Sequence, residues 1–189
     1  LMFRQKSLPC ITTPRCRLAL LEPHQAEIMA QFRNANRLHL RQWEPTRSDQ
    51  FFTSAYWEIQ LRMALKHFRT GNSVCLVITD PAATEVMGVC NYTNIVRGTM
   101  MSCQLGYALA SRHQGQGIMY EALQASLDYI FEEVRLHRVM ANYLPRNQRS
   151  GNLLARLGFK IEGHAEKFMQ INGRWEDHVL TSRVNPNDC

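Results

Sequence analysis

The segment RHQGQGIMYEAL, Arg112–Leu123, places two glycines, Gly115 and Gly117, directly before a stretch with helical spacing. Apolar residues recur every three or four positions, which predicts a helix with one buried side from about Gly117 to Val134. A helix N-terminus presents unpaired backbone N–H groups and a partial positive charge, and glycine lets a ligand approach them. The segment therefore predicts an anion site that suits a pyrophosphate.

Three known phosphate-binding loops differ in the residues beside their glycines. The nucleotide-triphosphate loop requires Lys and then Ser or Thr after its last glycine, whereas Ile118 follows Gly117. The dinucleotide loop requires a third glycine where Tyr120 stands. The pattern Arg/Gln-x-x-Gly-x-Gly/Ala matches Arg112–Gly117 at every position. A plain strand-to-helix turn is the alternative for this hexapeptide taken alone.

The surrounding pattern predicts one α/β domain, of the α+β kind, with a mostly antiparallel sheet and helices packed on it. The strand before the loop has a face of Gln104, Gly106 and Ala108, which becomes small toward its end and admits a ligand or another backbone. The predicted strands are Arg17–Leu21, Ser73–Thr79, Val86–Asn94, Ser102–Ala110, Arg138–Tyr143, Lys160–Glu166 and Trp175–Thr181, and the helices are Pro23–Ala35, Phe51–Phe68, Gly117–Val134 and Ser150–Leu157.

Composition is that of an ordinary globular protein, with 189 residues, 45% hydrophobic and 20% charged. The sequence has no apolar run of about 18 residues, as a membrane helix needs, and its start lacks the apolar core of a signal peptide. A cytoplasmic location is therefore expected. The six cysteines form no CxxC pair and have no histidine at zinc-ligand spacing, so we expect reduced thiols and no metal.

The net charge of +6 raises the question of a polyanionic partner such as ribosomal RNA. The basic residues are scattered, however, and form no run of five or six. A generic basic surface is therefore favoured over a dedicated nucleic-acid module, and a cofactor that carries phosphates would account for part of the charge.

The hexapeptide resembles the pyrophosphate loop of the GNAT superfamily of acetyl-CoA-dependent N-acetyltransferases. A second block, LPRNQRSGNLLARLGFKIEGHAEK, Leu144–Lys167, is similar to the segment that follows in that family. There an Asn after the fifth strand precedes a Ser by three places, and a short helix ends in Gly-Phe; Asn147, Ser150 and Gly158-Phe159 match these positions. The resemblance spans about residues 15–181 and implies a GNAT-type mixed sheet flanked by helices.

Further segments are similar to the bacterial ribosomal-protein-alanine N-acetyltransferases: WEP at 43–45, NIVRG at 94–98, MANYLPRNQRSGNLLARLGF at 140–159 and NGRWEDHVL at 172–180. This branch implies acetyl transfer to the N-terminal alanine of small-subunit ribosomal protein five, with an acceptor groove shaped by the first two helices and their loop. Two alternatives remain: acetylation of a small amine such as a polyamine, an amino acid or an antibiotic, and a ribosome-assembly or RNA-binding role for the basic surface.

The resemblance also implies which residues contact acetyl-CoA. The backbone at Leu105, Gly106 and Tyr107 would pair with the pantetheine arm, and the strands that carry Gly106 and Asn142 would separate to admit it. Asn147 would hydrogen-bond the arm, and Arg156 would lie near a phosphate unless it is simply an exposed basic residue. The pyrophosphate loop would contribute Arg112, Gln114, Gly115, Gln116, Gly117, Ile118 and Met119.

For the chemistry, the resemblance implies Ser150 as the acid for the leaving thiolate. Its structural alternative is the N-cap of the helix Ser150–Leu157, since Ser is a favoured cap. Some GNAT enzymes use a tyrosine acid near the end of that helix, where Phe159 has no proton to donate.

The base is less well defined, because Met169 stands where related ribosomal acetyltransferases carry a Glu. We predict Glu44, since an acid in an irregular loop between Trp43 and Pro45 suits a substrate entrance. Asp177 and His178 are further choices, and each of the three has a surface charge as its alternative role. Replacing Glu44 by Gln is expected to lower turnover while acetyl-CoA affinity is kept.

Overall fold

The centre of the molecule is an eight-stranded sheet, seen in a computed structural model that describes residues 7–188. Residues 1–6 and Cys189 lie outside the described part. The strands are β1 (Cys10–Thr12), β2 (Arg17–Ala19), β3 (Val74–Thr79), β4 (Val86–Val96), β5 (Ser102–Leu109), β6 (Arg138–Tyr143), β7 (Lys160–Ile171) and β8 (Arg174–Val184). Their order is β1-β2-β3-β4-β5-β6-β8-β7, and each neighbouring pair is antiparallel except β5 and β6. The predicted fold class is confirmed.

In the described part of the chain, five helices flank the sheet: α1 (Ala26–Ala35), α2 (Arg37–Leu40), α3 (Ser54–Arg69), α4 (Ile118–Glu132) and α5 (Gln148–Arg156). Short 3-10 turns lie at Pro23–Gln25, Asp49–Phe52 and Ser111–His113. Within residues 7–188, no helix combines the length and the apolar character needed to cross a membrane.

The sheet is covered on both faces because side chains of β3 alternate between two cores. Leu76 and Ile78 join the core that contains the apolar stripe of α4, whereas Val77 joins the core formed with α1. The stripe of α4 consists of Ile118, Met119, Leu123, Leu127 and Ile130, all buried. Burial of this stripe fixes where α4 begins, and so it fixes the position of the glycine loop before it.

The parallel pair of β5 and β6 is joined for only three residues of each strand. Its ladder runs from Ser102 opposite Arg138 to Gln104 opposite Met140 and then ends. The remaining parts, Leu105–Leu109 of β5 and 141–143 of β6, do not pair with each other. We call the space between them the wedge. The wedge opens at the end of the sheet where the glycine loop follows β5.

Several elements differ from the sequence prediction. The short β1 and the four-residue α2 were not predicted, and the last two strands extend well beyond Lys160–Glu166 and Trp175–Thr181. The physical reason is that β7 is exposed along most of its length and interrupted by register shifts, so its outer part shows no apolar alternation.

Candidate functional site

The glycine loop exposes backbone N–H groups at the start of α4. Gly117 is the N-cap, with φ at 78°, and Gly115 has φ at 73°, values that glycine adopts without strain. The first bond of the helix runs from Glu121 N–H to the Gly117 carbonyl, at 3.0 Å. The N–H groups of residues 117–120 therefore have no partner within the helix, which is the arrangement that binds anions.

Residues distant in sequence hold this loop in shape. Arg15 donates from Nη1 to the Gln116 carbonyl at 2.7 Å and from Nε to Glu121 at 2.6 Å. Gln114 donates to His39 of α2 at 2.9 Å and accepts from Arg149 of α5 at 2.6 Å. The sequence analysis missed Arg15, His39 and Arg149; of these, only Arg149 lies within a segment that it had singled out.

Arg112 is placed differently from the other predicted loop residues. Its guanidinium pairs with Glu85, whose carboxylate also contacts His113 at 2.8 Å. These two neighbours, His113 first, hold the pKa of Glu85 below its ordinary value. The side chain of Arg112 is therefore engaged in an ion pair with the turn before β4, and its contribution to a ligand site stays a prediction.

Arg156 lies beside the same helix N-terminus. Its guanidinium carbon is 4.5 Å from the centre of the Tyr120 ring, in the first turn of α4. Ile118 and Met119, by contrast, are buried core residues, so only their backbone groups face a ligand in the loop. The loop thus offers backbone donors, with the positive charges of Arg15, Arg149 and Arg156 around them.

The wedge is bordered by a residue without a side chain. A Cβ on Gly106 would meet nothing within 4 Å, so the backbone of β5 is open there. Leu105 is buried in the core, Tyr107 is half-buried, and Asn142 on the opposite wall pairs with Leu180 of β8. The open backbone of β5 is suited to pair with an extended ligand, as an added strand would.

Ser150 and Tyr107 meet beside the wedge. Their hydroxyl oxygens are 2.5 Å apart, although 43 residues separate them in the chain. Burial raises the pKa of Tyr107 to about 12, so the phenol stays protonated near neutral pH. The site therefore contains a hydrogen-bonded pair of hydroxyls, of which the sequence analysis had singled out only Ser150 for an acid role.

Asn147, and not Ser150, caps α5. The helix begins at Gln148, and the Asn147 side chain accepts a hydrogen bond from Ser150 N–H at 3.2 Å. The alternative role of Ser150 as N-cap is thus wrong, because Ser150 already lies inside the first turn with its hydroxyl turned to Tyr107. The cap uses the Asn147 oxygen and leaves its amide nitrogen free of that bond.

Close packing fixes α5 against β6. A Cβ on Gly151 would come within 2.8 Å of the Tyr143 ring, so a larger residue here would require that ring to move. The neighbouring Ser150 is positioned by that contact. The sequence analysis gave no role to Gly151, since a glycine inside a predicted helix does not reveal what approaches it.

The three predicted bases lie in different surroundings. Glu44 accepts from Arg33 at 3.0 Å and is 3.8 Å from Arg47. Asp177 accepts from Lys167 N–H at 2.8 Å. His178 is buried, and its Nδ1 lies 3.0 Å from the Glu176 carbonyl. Each of the three has a structural contact of its own.

Comparison with known proteins identifies the family. The profile of the acetyltransferase (GNAT) domain matches residues 15–160. The chain belongs to the GNAT acetyltransferase family. This acetyltransferase is 40% identical over 177 residues to the [ribosomal protein uS5]-alanine N-acetyltransferase of Escherichia coli (strain K12), with 94% of this chain and 91% of that protein covered.

Solved structures agree with this assignment. The ribosomal-protein-S5-alanine acetyltransferase from Vibrio fischeri superposes on this acetyltransferase with a TM-score of 0.91 and 37% identity, over 95% of this chain and 98% of that one. RimJ of Mycobacterium smegmatis, solved in complex with CoA-disulfide, gives a TM-score of 0.85 and 28% identity, over 95% and 88%. The predicted enzyme class, an N-acetyltransferase of the GNAT family, is confirmed.

Proposed function

We propose that this acetyltransferase transfers the acetyl group of acetyl-CoA to the α-amino group of the N-terminal alanine of ribosomal protein uS5. The observation that carries the proposal is the similarity to the E. coli uS5-alanine enzyme over almost the whole of both chains. The geometry supports it, since an anion-binding loop, an open strand backbone and a pair of hydroxyls surround one wedge.

Acetyl-CoA fits the residues present. Gly115, Gln116 and Gly117, with the N–H groups of Ile118 and Met119, would hold the pyrophosphate at the start of α4. The side chains of Arg112, Gln114 and Arg156 would border it. In the wedge, the β5 backbone at Leu105, Gly106 and Tyr107 would pair with the pantetheine arm, and Asn142 and Asn147 would line the opposite side.

When bound, acetyl-CoA supplies the acetyl group as a reactive thioester. An α-amino group has a pKa of about 7.7–8.0, so a useful fraction of the acceptor is neutral near pH 7. The backbone N–H groups of β5 near Tyr107 would stabilise negative charge on the thioester oxygen. These features reduce what the enzyme needs from a base.

Ser150 holds the proton for the leaving sulfur. Since Tyr107 stays protonated, its hydroxyl can donate to Ser150 Oγ and leave the serine proton free to point into the wedge. Tyr107 thus positions the Ser150 hydroxyl and can return a proton to it after transfer.

Glu44 remains our proposed base, and its ion pairs with Arg33 and Arg47 give a competing structural explanation for any lost activity. We expect Glu44→Gln to lower kcat at least about tenfold while the Kd of acetyl-CoA is kept. Gln preserves the shape and can still accept from Arg33, so urea unfolding separates the two explanations. Lost stability with an unchanged kcat of the folded enzyme would assign Glu44 a structural role only.

The function is tested by mass-spectrometric acetyl transfer. Purified protein and acetyl-CoA are incubated with a peptide of the uS5 N-terminus that begins with free alanine, with the same peptide beginning with serine, and with spermidine. One acetyl group on the alanine α-amine, faster than on serine, is the expected result. Transfer to spermidine alone would replace the acceptor by a small amine, and failure to bind acetyl-CoA would overturn the proposed site.

A further inference from the structure

A groove beside the acetyl-transfer site is lined by four arginines. It lies between α1, α2 and the turn Asp49–Phe52, has a volume of about 270 Å³, and is bordered at one end by Asn172 from the turn between β7 and β8. We call it the arginine groove; its defining side chains are Arg33, Arg37, Arg41, Arg47, Phe51 and Phe52. Glu44, our proposed base, also lines this groove, whereas none of the six defining side chains is used by the acetyl-transfer chemistry described above.

The positive charge of the arginine groove exceeds the negative charge near it. Glu44 is shared between Arg33, at 3.0 Å, and Arg47, at 3.8 Å. Asp49 pairs with Arg37 at 2.8 Å. The two carboxylates therefore serve three arginines. Among residues 7–188, Arg41 has no carboxylate partner and donates a hydrogen bond to the neutral Asn172, at 3.3 Å. The groove thus carries uncompensated positive charge that faces the space between these side chains.

Arg33 contributes a buried positive charge to the wall of the groove. Its side chain is 7% exposed, and its Nε has no hydrogen-bond partner among the described residues. Burying a cation with an unsatisfied donor is unfavourable unless further partners are present. The rings of Phe51 and Trp57, at 5.3 and 5.2 Å, stabilise the guanidinium only in part. Its carboxylate partner, Glu44 at 3.0 Å, is shared with Arg47, so the two guanidinium groups together carry more positive charge than Glu44 neutralises.

The arginine groove is tied to the acetyl-transfer site on two sides. In α2, His39 accepts from Gln114 of the glycine loop, while Arg37 and Leu40 of the same helix line the groove. On the other side, Arg146, four residues before Ser150, donates to the Gln42 carbonyl at 3.3 Å. A polypeptide whose first residue lies at the wedge therefore has the groove within reach of its following residues.

We infer that the arginine groove binds an acidic side chain of the acceptor polypeptide, a few residues after the acetylated one. Guanidinium groups form paired hydrogen bonds with a carboxylate, and the rings of Phe51 and Phe52 suit the methylene groups of Asp or Glu. A volume of about 270 Å³ accommodates a side chain rather than a nucleic-acid backbone, which needs an open track. This inference rests on the proposed function, since it names a determinant of the acceptor.

The test combines a peptide series with two matched double variants. Peptides that begin with alanine carry a single Glu, placed in turn at the second to the seventh position, or Gln at the same position. The groove variant is Arg41→Gln with Arg47→Gln. The control variant, Arg62→Gln with Arg69→Gln, removes the same charge from α3, outside the groove. Thermal unfolding of each variant is compared with the wild type first.

We expect one Glu position to lower KM about tenfold relative to Gln, with little change in kcat. The groove variant should lose this preference, and the control variant should keep it. Equal KM values for Glu and Gln peptides at every position would overturn the inference. A groove variant that keeps the preference would overturn it as well.

Binding measurements separate this inference from the proposed function. Fluorescence anisotropy of the same peptides, labelled at the C-terminus and titrated in the presence of CoA, reports recognition without acetyl transfer. A Glu preference in binding that the groove variant abolishes would support the groove even if no alanine peptide is acetylated. Acetylation of alanine peptides with no Glu preference in binding would leave the proposed function intact and reject the groove.

Discussion

Two single residues, Tyr107 and Ser150, illustrate how the fold creates a pair that neither local sequence contains. Tyr107 lies on β5 and Ser150 in the first turn of α5, and their oxygens meet at 2.5 Å. Asn147 and Gly151, on either side of Ser150 in the chain, set its backbone by a cap bond and a close contact. The position of the serine hydroxyl is therefore determined by three neighbouring contacts.

Removing the serine hydroxyl is expected to lower kcat about 100-fold or more, because a positioned acid contributes roughly 10²–10⁴-fold. The KM for acetyl-CoA should change little in Ser150→Ala. Tyr107→Phe keeps the ring packing and removes only the positioning bond, so a smaller loss is expected. Steady-state kinetics with an alanine peptide checks both variants, and a Tyr107→Phe loss equal to or above that of Ser150→Ala would make the tyrosine the acid.

Gly106 allows a test of the wedge that leaves the fold intact. A Cβ there meets nothing within 4 Å, but a side chain would occupy the space along the open β5 backbone. We expect Gly106→Val to weaken acetyl-CoA binding about tenfold or more, measured by calorimetry, while thermal stability is retained. Gly163→Val in β7 is the matched control, since a Cβ there also meets nothing within 4 Å. Equal affinity for acetyl-CoA in both variants would show that acetyl-CoA does not bind in the wedge.

The site was predictable from sequence where its parts are local. Gly115, Gly117 and Asn147 lie in contiguous patterns, so their places in the loop and at the start of α5 could be anticipated. Arg15 and the Tyr107 contact with Ser150 depend on packing between distant segments, and no local pattern reports such contacts. The interpretation of Ser150 as a cap failed because Asn147, three residues earlier, also has the side-chain chemistry of a cap.

At the scale of elements, α5 is a short helix whose formation depends on its cap. Nine residues are too few for stability in isolation, so the bond from Ser150 N–H to Asn147 matters beyond its own energy. The same short helix carries Ser150, Gly151, Arg149 and Arg156. Its loss would therefore remove the acid and two of the charges near the glycine loop together.

Asn147→Ala is expected to lower the free energy of unfolding by about 1 kcal/mol, the usual effect of removing an N-cap. Asn147→Asp should restore most of it, because a carboxylate accepts the same bond and is favoured at a helix N-terminus. Urea unfolding of the three proteins checks this. A Kd for acetyl-CoA that stays weak in the Asp variant, despite restored stability, would show that the Asn147 amide nitrogen contacts the ligand.

Elements with strong periodicity were predictable, and those stabilised only by their partners were not. The stripe of α4 and the apolar run of β3 gave both the kind and the approximate bounds of these elements. The four-residue α2 has one buried residue, Leu40, and the three-residue β1 is held by pairing with β2. Such short segments carry too little apolar pattern to stand out from loops.

At the scale of the whole molecule, the buried thiols connect stability to pH. Cys90 and Cys103 are fully buried, and burial raises the pKa of each from about 9 to about 12. Unfolding exposes both thiols, which then ionise near their ordinary pKa. Between these two values the native state binds more protons than the unfolded state. The contribution of the two thiols to the free energy of unfolding is therefore fully present below about pH 9 and is lost as pH rises toward 12.

Each of these thiols should contribute a slope of about −1.4 kcal/mol per pH unit to the free energy of unfolding in that window. Urea unfolding at pH 8, 9 and 10 measures the slope. Cys103→Ala should make the slope shallower, although the variant is less stable throughout. A slope that is the same in Cys103→Ala and the wild type would contradict the assignment.

The short ladder between β5 and β6 also has a mechanical consequence. Three residue pairs join the five-stranded part of the sheet to the three-stranded part, whereas the adjoining pairings β4–β5 and β6–β8 have seven and six pairs. Thermal bending of the sheet should concentrate at this narrow junction. A molecule bound in the wedge would contact both parts of the sheet and restrict this bending. Hydrogen exchange of the backbone amides that follow Gln104 in β5 and Met140 in β6 should therefore slow when it binds.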